Sequence, residues 1–228
     1  IVEHLLGISL VGGHTEVTDG VTRPVLVGHM VGEVAKEKLV TTAGARVGDV
    51  ILLTKGIAIE GTSIIARERQ DELLQRGYDP AFIQRCKDFV FHPGISVVDE
   101  ALIAVESVKV HSMHDPTEGG VATGLHEIAR AAGVGMLVER EAIPVYEETE
   151  ILCREFGLDP LGTIASGALL LTLEPREATA LLETYRERKV ACRAIGGVRP
   201  ADFGVMISAA EGTAPLPLFS SDEITRLP

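Results

Sequence analysis

The chain has 228 residues, 46% hydrophobic and 24% charged, with a formal charge of −12. That is enough to bury a substantial core in one large domain or one and a half, but it lacks the clustered Lys and Arg that nonspecific binding to nucleic acid or an anionic membrane requires. Its apolar runs are strand-sized and too short to span a bilayer. Three scattered cysteines, Cys86, Cys153 and Cys192, fall in no C-x-x-C pair, which reads as reduced thiols in a cytoplasmic protein, packed as small buried hydrophobes.

In chain order, residues 1–7 read as the end of an amphipathic helix that stops at Gly7. The first residue is Ile1, without the pattern of a signal peptide, so the expectation is that sequence upstream is missing. Residues 8–17 and 24–34 are rich in Val, Leu, Ile and Thr and are joined by Asp19-Gly20, a hairpin signal. Two strands rarely hold together alone, so this piece needs partners. The charged, glycine-containing stretch 35–49 marks a domain boundary. Beyond it the periodicity predicts strand 50–54, helices 62–76, 80–88 and 97–106, strand 108–113, helix 120–132 and strand 135–139. Helix 147–156, strand 168–173, helix 176–188 and strands near 192–196 and 203–207 follow. This is an α+β pattern, divided as 1–42, 43–212 and an irregular tail over 213–228.

The most informative stretch is His114-Asp115-Pro116-Thr117-Glu118-Gly119-Gly120, where an apolar strand meets a helix. One reading is a capping box, with Asp115 as N-cap, Pro116 at N1 and Glu118 at N3. Capping leaves Gly119-Gly120 unexplained, since each glycine costs about 0.8–1 kcal/mol against Ala in a helix. The other reading is an anion site: bare N–H groups at a helix N-terminus attract phosphate, and a nearby carboxylate holds the accompanying Mg²⁺.

Gly12-Gly13-His14-Thr15-Glu16 offers a second polar cluster after glycines, suited to a phosphate and a cation, or else a β-bulge with His14 and Glu16 pointing to solvent. In 56–63, Thr62 or Ser63 is a natural helix cap and Glu60 a possible ligand contact. The 161–167 stretch precedes a strand and either lines a pocket through Ser166 or is a plain Gly-Ser turn that needs no such role. No Walker A, G-x-G-x-x-G or H-E-x-x-H pattern occurs.

The order G-G-H-T-E, a Val-Gly-Asp-Val-Ile strand start, H-D-P-T-E-G-G, then Gly157-Leu158-Asp159-Pro160-Leu161 resembles the AIR synthase (PurM-like) superfamily over nearly the whole chain, with the AIR synthase-related and HypE-like members most alike. The resemblance implies a two-domain PurM-like architecture, here a partial N-terminal domain and a complete C-terminal α+β domain, and a homodimer built through the N-terminal sheet. It implies an ATP- and Mg²⁺-dependent synthetase or kinase-like enzyme that phosphorylates an amide or carboxamide-type oxygen of a small substrate.

On this likeness Asp115 and Glu118 are catalytic. Gly13, His14, Thr15, Thr117, Gly119 and Gly120 contact the nucleotide, and Glu16 and Asp115 hold the metal. Two departures stand out. The chain lacks the terminal cysteine of HypE proteins and the Gly- and Asp-rich nucleotide-binding segment expected upstream. The rival expectation is therefore a non-catalytic PurM-like binding or assembly protein.

Overall fold

Ile51 and Leu53 alternate with Leu52, and a strand's side chains alternate between its two faces; all three are fully buried, so the strand that carries them is covered on both sides. The computed structural model describes residues 8–227, and the helix expected over 1–7 lies outside them. The chain divides into two units, Ile1–Lys38 and Leu39–Pro228.

In the larger unit, β1 (Val50–Thr54) leads into α1 (Ile59–Glu68), α2 (Gln70–Gln75), α3 (Pro80–Lys87) and α4 (Val98–Ser107). Next come β2 (Ser112–His114), α5 (Gly120–Ala132), β3 (Gly135–Glu139) and α6 (Glu147–Phe156). The chain continues through β4 (Leu170–Leu173), α7 (Pro175–Glu187), β5 (Cys192–Arg199), β6 (Val205–Ala209) and β7 (Gly212–Pro215).

The strands form one sheet in the order β2-β4-β1-β5-β3-β6-β7. Neighbours run antiparallel except β3 and β6, which are parallel. On one face α5 lays Val121, Leu125 and Ile128 against Ile51, Leu53, Met136 and Leu170. On the other, α4 and α7 pack Ala104, Leu181 and Tyr185 on Leu52 and Leu171, and the Tyr185 hydroxyl donates to the Glu100 carbonyl at 2.7 Å. Helices α1, α2, α3 and α6 gather around a third apolar cluster that includes Ile65, Leu73, Ile83 and Leu152. Burying each such aliphatic side chain contributes about 1.5–3 kcal/mol, so the site loops rest on a rigid frame.

Most elements fall where the periodicity places them, and α5, β3 and α6 match residue for residue. The helix expected from Thr62 instead begins at Ile59, with Ala58 as N-cap in a left-handed conformation. Thr62 is not a cap: its hydroxyl donates back to the Ala58 carbonyl at 2.7 Å and sits 2.7 Å from Thr149 Oγ1. The helical pattern also breaks at Arg69. The strand expected from Val108 begins at Ser112, because Val108 still closes α4 and, among the described residues, β2 pairs only with β4.

The hairpin expected over 8–34 is corrected as well. Among the described residues of the first unit there is a turn at Asp19-Gly20 and no strand. Val11, Val17 and Leu26 are more than nine-tenths exposed, so the apolar alternation there is not buried against the described residues. The stretch expected as an irregular tail is also more ordered than its composition suggests. It supplies β7, the buried Leu216 and a 3₁₀ turn at Glu223–Arg226.

Candidate functional site

The site is built where β2 passes into α5. His114, the last residue of β2, is held from two sides: Nε2 lies 2.8 Å from Glu127 Oε2 on α5 and Nδ1 lies 3.3 Å from Thr42 Oγ1. After it, Asp115 and Glu118 project into solvent while Pro116, Gly119 and Gly120 are buried. Thr117 ties the loop down, its hydroxyl donating to the Asp115 carbonyl at 3.2 Å and its carbonyl accepting the amides of Gly120 and Ala165, each at 3.1 Å.

This geometry corrects the capping-box reading. The N-cap of α5 is Gly119, with no side-chain cap from its own loop. Both glycines are left-handed, at φ 76° and 68°, a region costly to any residue with a Cβ. Space is equally decisive. A Cβ on Gly120 would strike the Leu161 carbonyl oxygen and lie 2.9 Å from the Gly162 carbonyl carbon. A Cβ on Gly119 would strike the Thr123 side chain, whose hydroxyl is buried without a hydrogen-bond partner.

The 159–166 segment packs against that turn. Asp159 accepts the Leu161 amide at 2.9 Å and caps the short 3₁₀ turn Pro160–Gly162, and its carbonyl accepts the Thr163 hydroxyl at 2.9 Å. The third wall is the C-terminal stretch, which the sequence reading missed. One Asp222 oxygen accepts the Gly119 amide at 2.7 Å; the other accepts the Ile164 amide at 3.2 Å and the Ile224 amide at 2.8 Å. A carboxylate of this chain therefore sits beside the start of α5 where three backbone N–H groups converge, those of Gly119, Ile164 and Ile224, and such donors fit an oxyanion.

Beside it Glu223 is buried, accepting the Asp159 amide at 2.9 Å and pairing with Arg226 at 2.6 Å. Burial works against its charge, but Arg226 and the Asp159 amide outweigh it and hold the carboxyl below its ordinary range. The signal available in sequence was Asp222 followed by Glu-Ile-Thr, an N-cap ahead of a helical turn.

The other candidates are more plainly placed. Gly13, His14, Thr15 and Glu16 lie in the first unit, where His14 Nε2 is 3.8 Å from Glu16 Oε2 and both side chains are exposed. Such a surface pair contributes at most about 1 kcal/mol. A Cβ on Gly12 or Gly13 meets open space. Glu60 falls in the first turn of α1, and Ser166 is partly exposed just before β4. The thiols of Cys86, Cys153 and Cys192 are pushed up to about 12 by burial, so they remain protonated at neutral pH. Among the described residues no three His, Cys, Asp or Glu side chains converge as a metal cluster, and no helix is long and apolar enough to cross a membrane.

Comparison with known proteins adds to this geometry. Residues 46–207 match the family described as AIR synthase related protein, C-terminal domain. A putative hydrogenase expression/formation protein of Methanocaldococcus jannaschii is 27% identical over 96% of this chain and 63% of its own length. The carbamoyl dehydratase HypE of Cupriavidus necator is 34% identical over 79% of this chain and 48% of its own. The crystal structure of hydrogenase maturation protein HypE in complex with ATP superposes with a TM-score of 0.61 at 25% identity, covering 85% of this chain and 57% of that one. The chain thus spans about half to two thirds of the length of these relatives.

Proposed function

The chain belongs to the AIR synthase-related family, and from that premise we propose that it serves an ATP- and Mg²⁺-dependent enzyme that phosphorylates an amide- or carboxamide-type oxygen of a small substrate. The observation that carries this reading is the β2–α5 loop. Two left-handed glycines wedge it against 161–162, leaving Asp115 and Glu118 free in solvent at a helix N-terminus whose Gly119 amide already holds a carboxylate oxygen, that of Asp222.

Phosphoryl transfer asks a protein mainly for positioning and charge neutralisation. Asp115 supplies a hard oxygen ligand for Mg²⁺, which when bound offsets the charge of the transferred group. Glu118 supplies a second carboxylate beside it, and Thr117 and the Gly119-Gly120 turn fix the loop that carries both. In the first unit, Gly13, His14, Thr15 and the Glu16 carboxylate keep the nucleotide and metal roles that the family likeness gives them.

One observation favours a second reading, a binding or assembly protein: the amides of Gly119 and Ile164 are already engaged by Asp222. Calorimetry with Mg-ATP separates the two. It would be run on this chain and on a version carrying an upstream segment like that of its longer relatives. Saturable binding by the longer version supports the enzyme; no binding by either sinks it and leaves the assembly reading.

A further inference from the structure

A second built site lies where the turn before β1 meets the start of α7. His111 is buried, its side chain 2% exposed, and its Nδ1 lies 3.0 Å from both oxygens of Asp49. Asp49 is itself buried and fixed by the Arg46 amide at 2.9 Å. With Nδ1 engaged by that carboxylate, Nε2 is the ring nitrogen left to meet a ligand. Among the described residues Nε2 has no hydrogen bond, and Glu174 Oε1 lies 3.9 Å from it, on a side chain 64% exposed. It faces a surface cleft of about 440 Å³ lined by Arg46, Asp49, His111, Glu174 and Arg176. The N-terminus of the 13-residue α7 also opens there, with Pro175 at its first position and no side chain capping it.

Two arginines and an uncapped helix N-terminus call for an anion, while the Glu174 carboxylate calls for a hydrogen-bond donor and His111 Nε2 offers one further polar contact. A singly protonated phosphoryl group satisfies both at once: its ionised oxygens accept from Arg46, Arg176 and the α7 amides, its P–OH donates to the Glu174 carboxylate, and His111 Nε2 lines the same cleft. We propose that this cleft is a binding site for a phosphate monoester or inorganic phosphate, separate from the β2–α5 loop.

The test is titration of the chain with inorganic phosphate and, in parallel, sulfate, followed by calorimetry and by the imidazole NMR signals of His111. Saturable phosphate binding is expected that shifts the His111 signals, exceeds sulfate affinity at least tenfold because sulfate brings no proton, and weakens at least tenfold in Arg176→Ala. Because Arg176 is exposed, that variant tests the site without removing a core group; Asp115→Asn leaves this binding unchanged, which separates the cleft from the nucleotide reading. Unmoved His111 signals, equal affinity for sulfate, or indifference to Arg176→Ala would each overturn the proposal.

Discussion

Of the three double glycines in the chain, Gly12-Gly13 and Gly119-Gly120 both adjoin a run of polar residues, and their surroundings could hardly differ more. Around Gly12-Gly13 an added methyl meets open space, whereas around Gly119-Gly120 it meets backbone and a neighbouring side chain at left-handed φ. Gly12-Gly13 precedes and Gly119-Gly120 follows polar residues able to hold a phosphate or a cation, so composition ranks them alike. What separates them is the framework: the second pair is pinned between the sheet, the 159–166 segment and the C-terminal strap. A glycine pair becomes a rigid site only where packing removes every alternative.

That contrast is sharpest under substitution. Gly120→Ala combines a strained backbone with a collision against the Leu161 carbonyl, and about 3 kcal/mol or more of stability should be lost, read from the urea midpoint. A near-native midpoint would mean that the 161–162 segment moves aside and that the site is not pinned. Asp222→Ala strands the amides of Gly119 and Ile164 and should cost about 1.5–3 kcal/mol. Hydrogen exchange at those two amides should rise with it; unchanged exchange would place their protection elsewhere.

The strap also sets a pH dependence. Glu223 is held below its ordinary range in the folded chain, so its contribution is present above the unfolded value of about 4.3 and is lost as pH falls through the lower folded value. Glu223→Gln should flatten the fall in melting temperature below about pH 4, and a fall of equal slope would remove Glu223 from the account. At the small end, Gly13→Ala should change stability by no more than about 0.5 kcal/mol. A larger loss would show that the first pair is confined after all.

How much of this was legible in the sequence follows from the same physics. Elements with a strong apolar period, such as α5 with Val121, Leu125 and Ile128, were readable because one face meets the sheet. The start of α1 was not, since Ala58 takes a left-handed cap that nothing local demands. The strap was missed for a related reason: prolines and the absence of a period hid Leu216, Asp222 and Glu223, whose partners lie 58 to 103 residues away. The motif itself was visible, but the identity of its cap was not. Asp115 looked like the N-cap, and the side chain that meets the Gly119 amide comes from the far end of the chain.

The measurement closest to the central claim is therefore Asp115→Asn, followed by calorimetry with Mg-ATP on the longer version and by thermal melting. Asp115 is exposed and caps nothing, so the melting temperature should stay where it is, while nucleotide affinity should fall at least tenfold, about 1.4 kcal/mol. Unchanged affinity, or a lowered melting temperature with affinity intact, would contradict the assignment of this loop to phosphoryl chemistry.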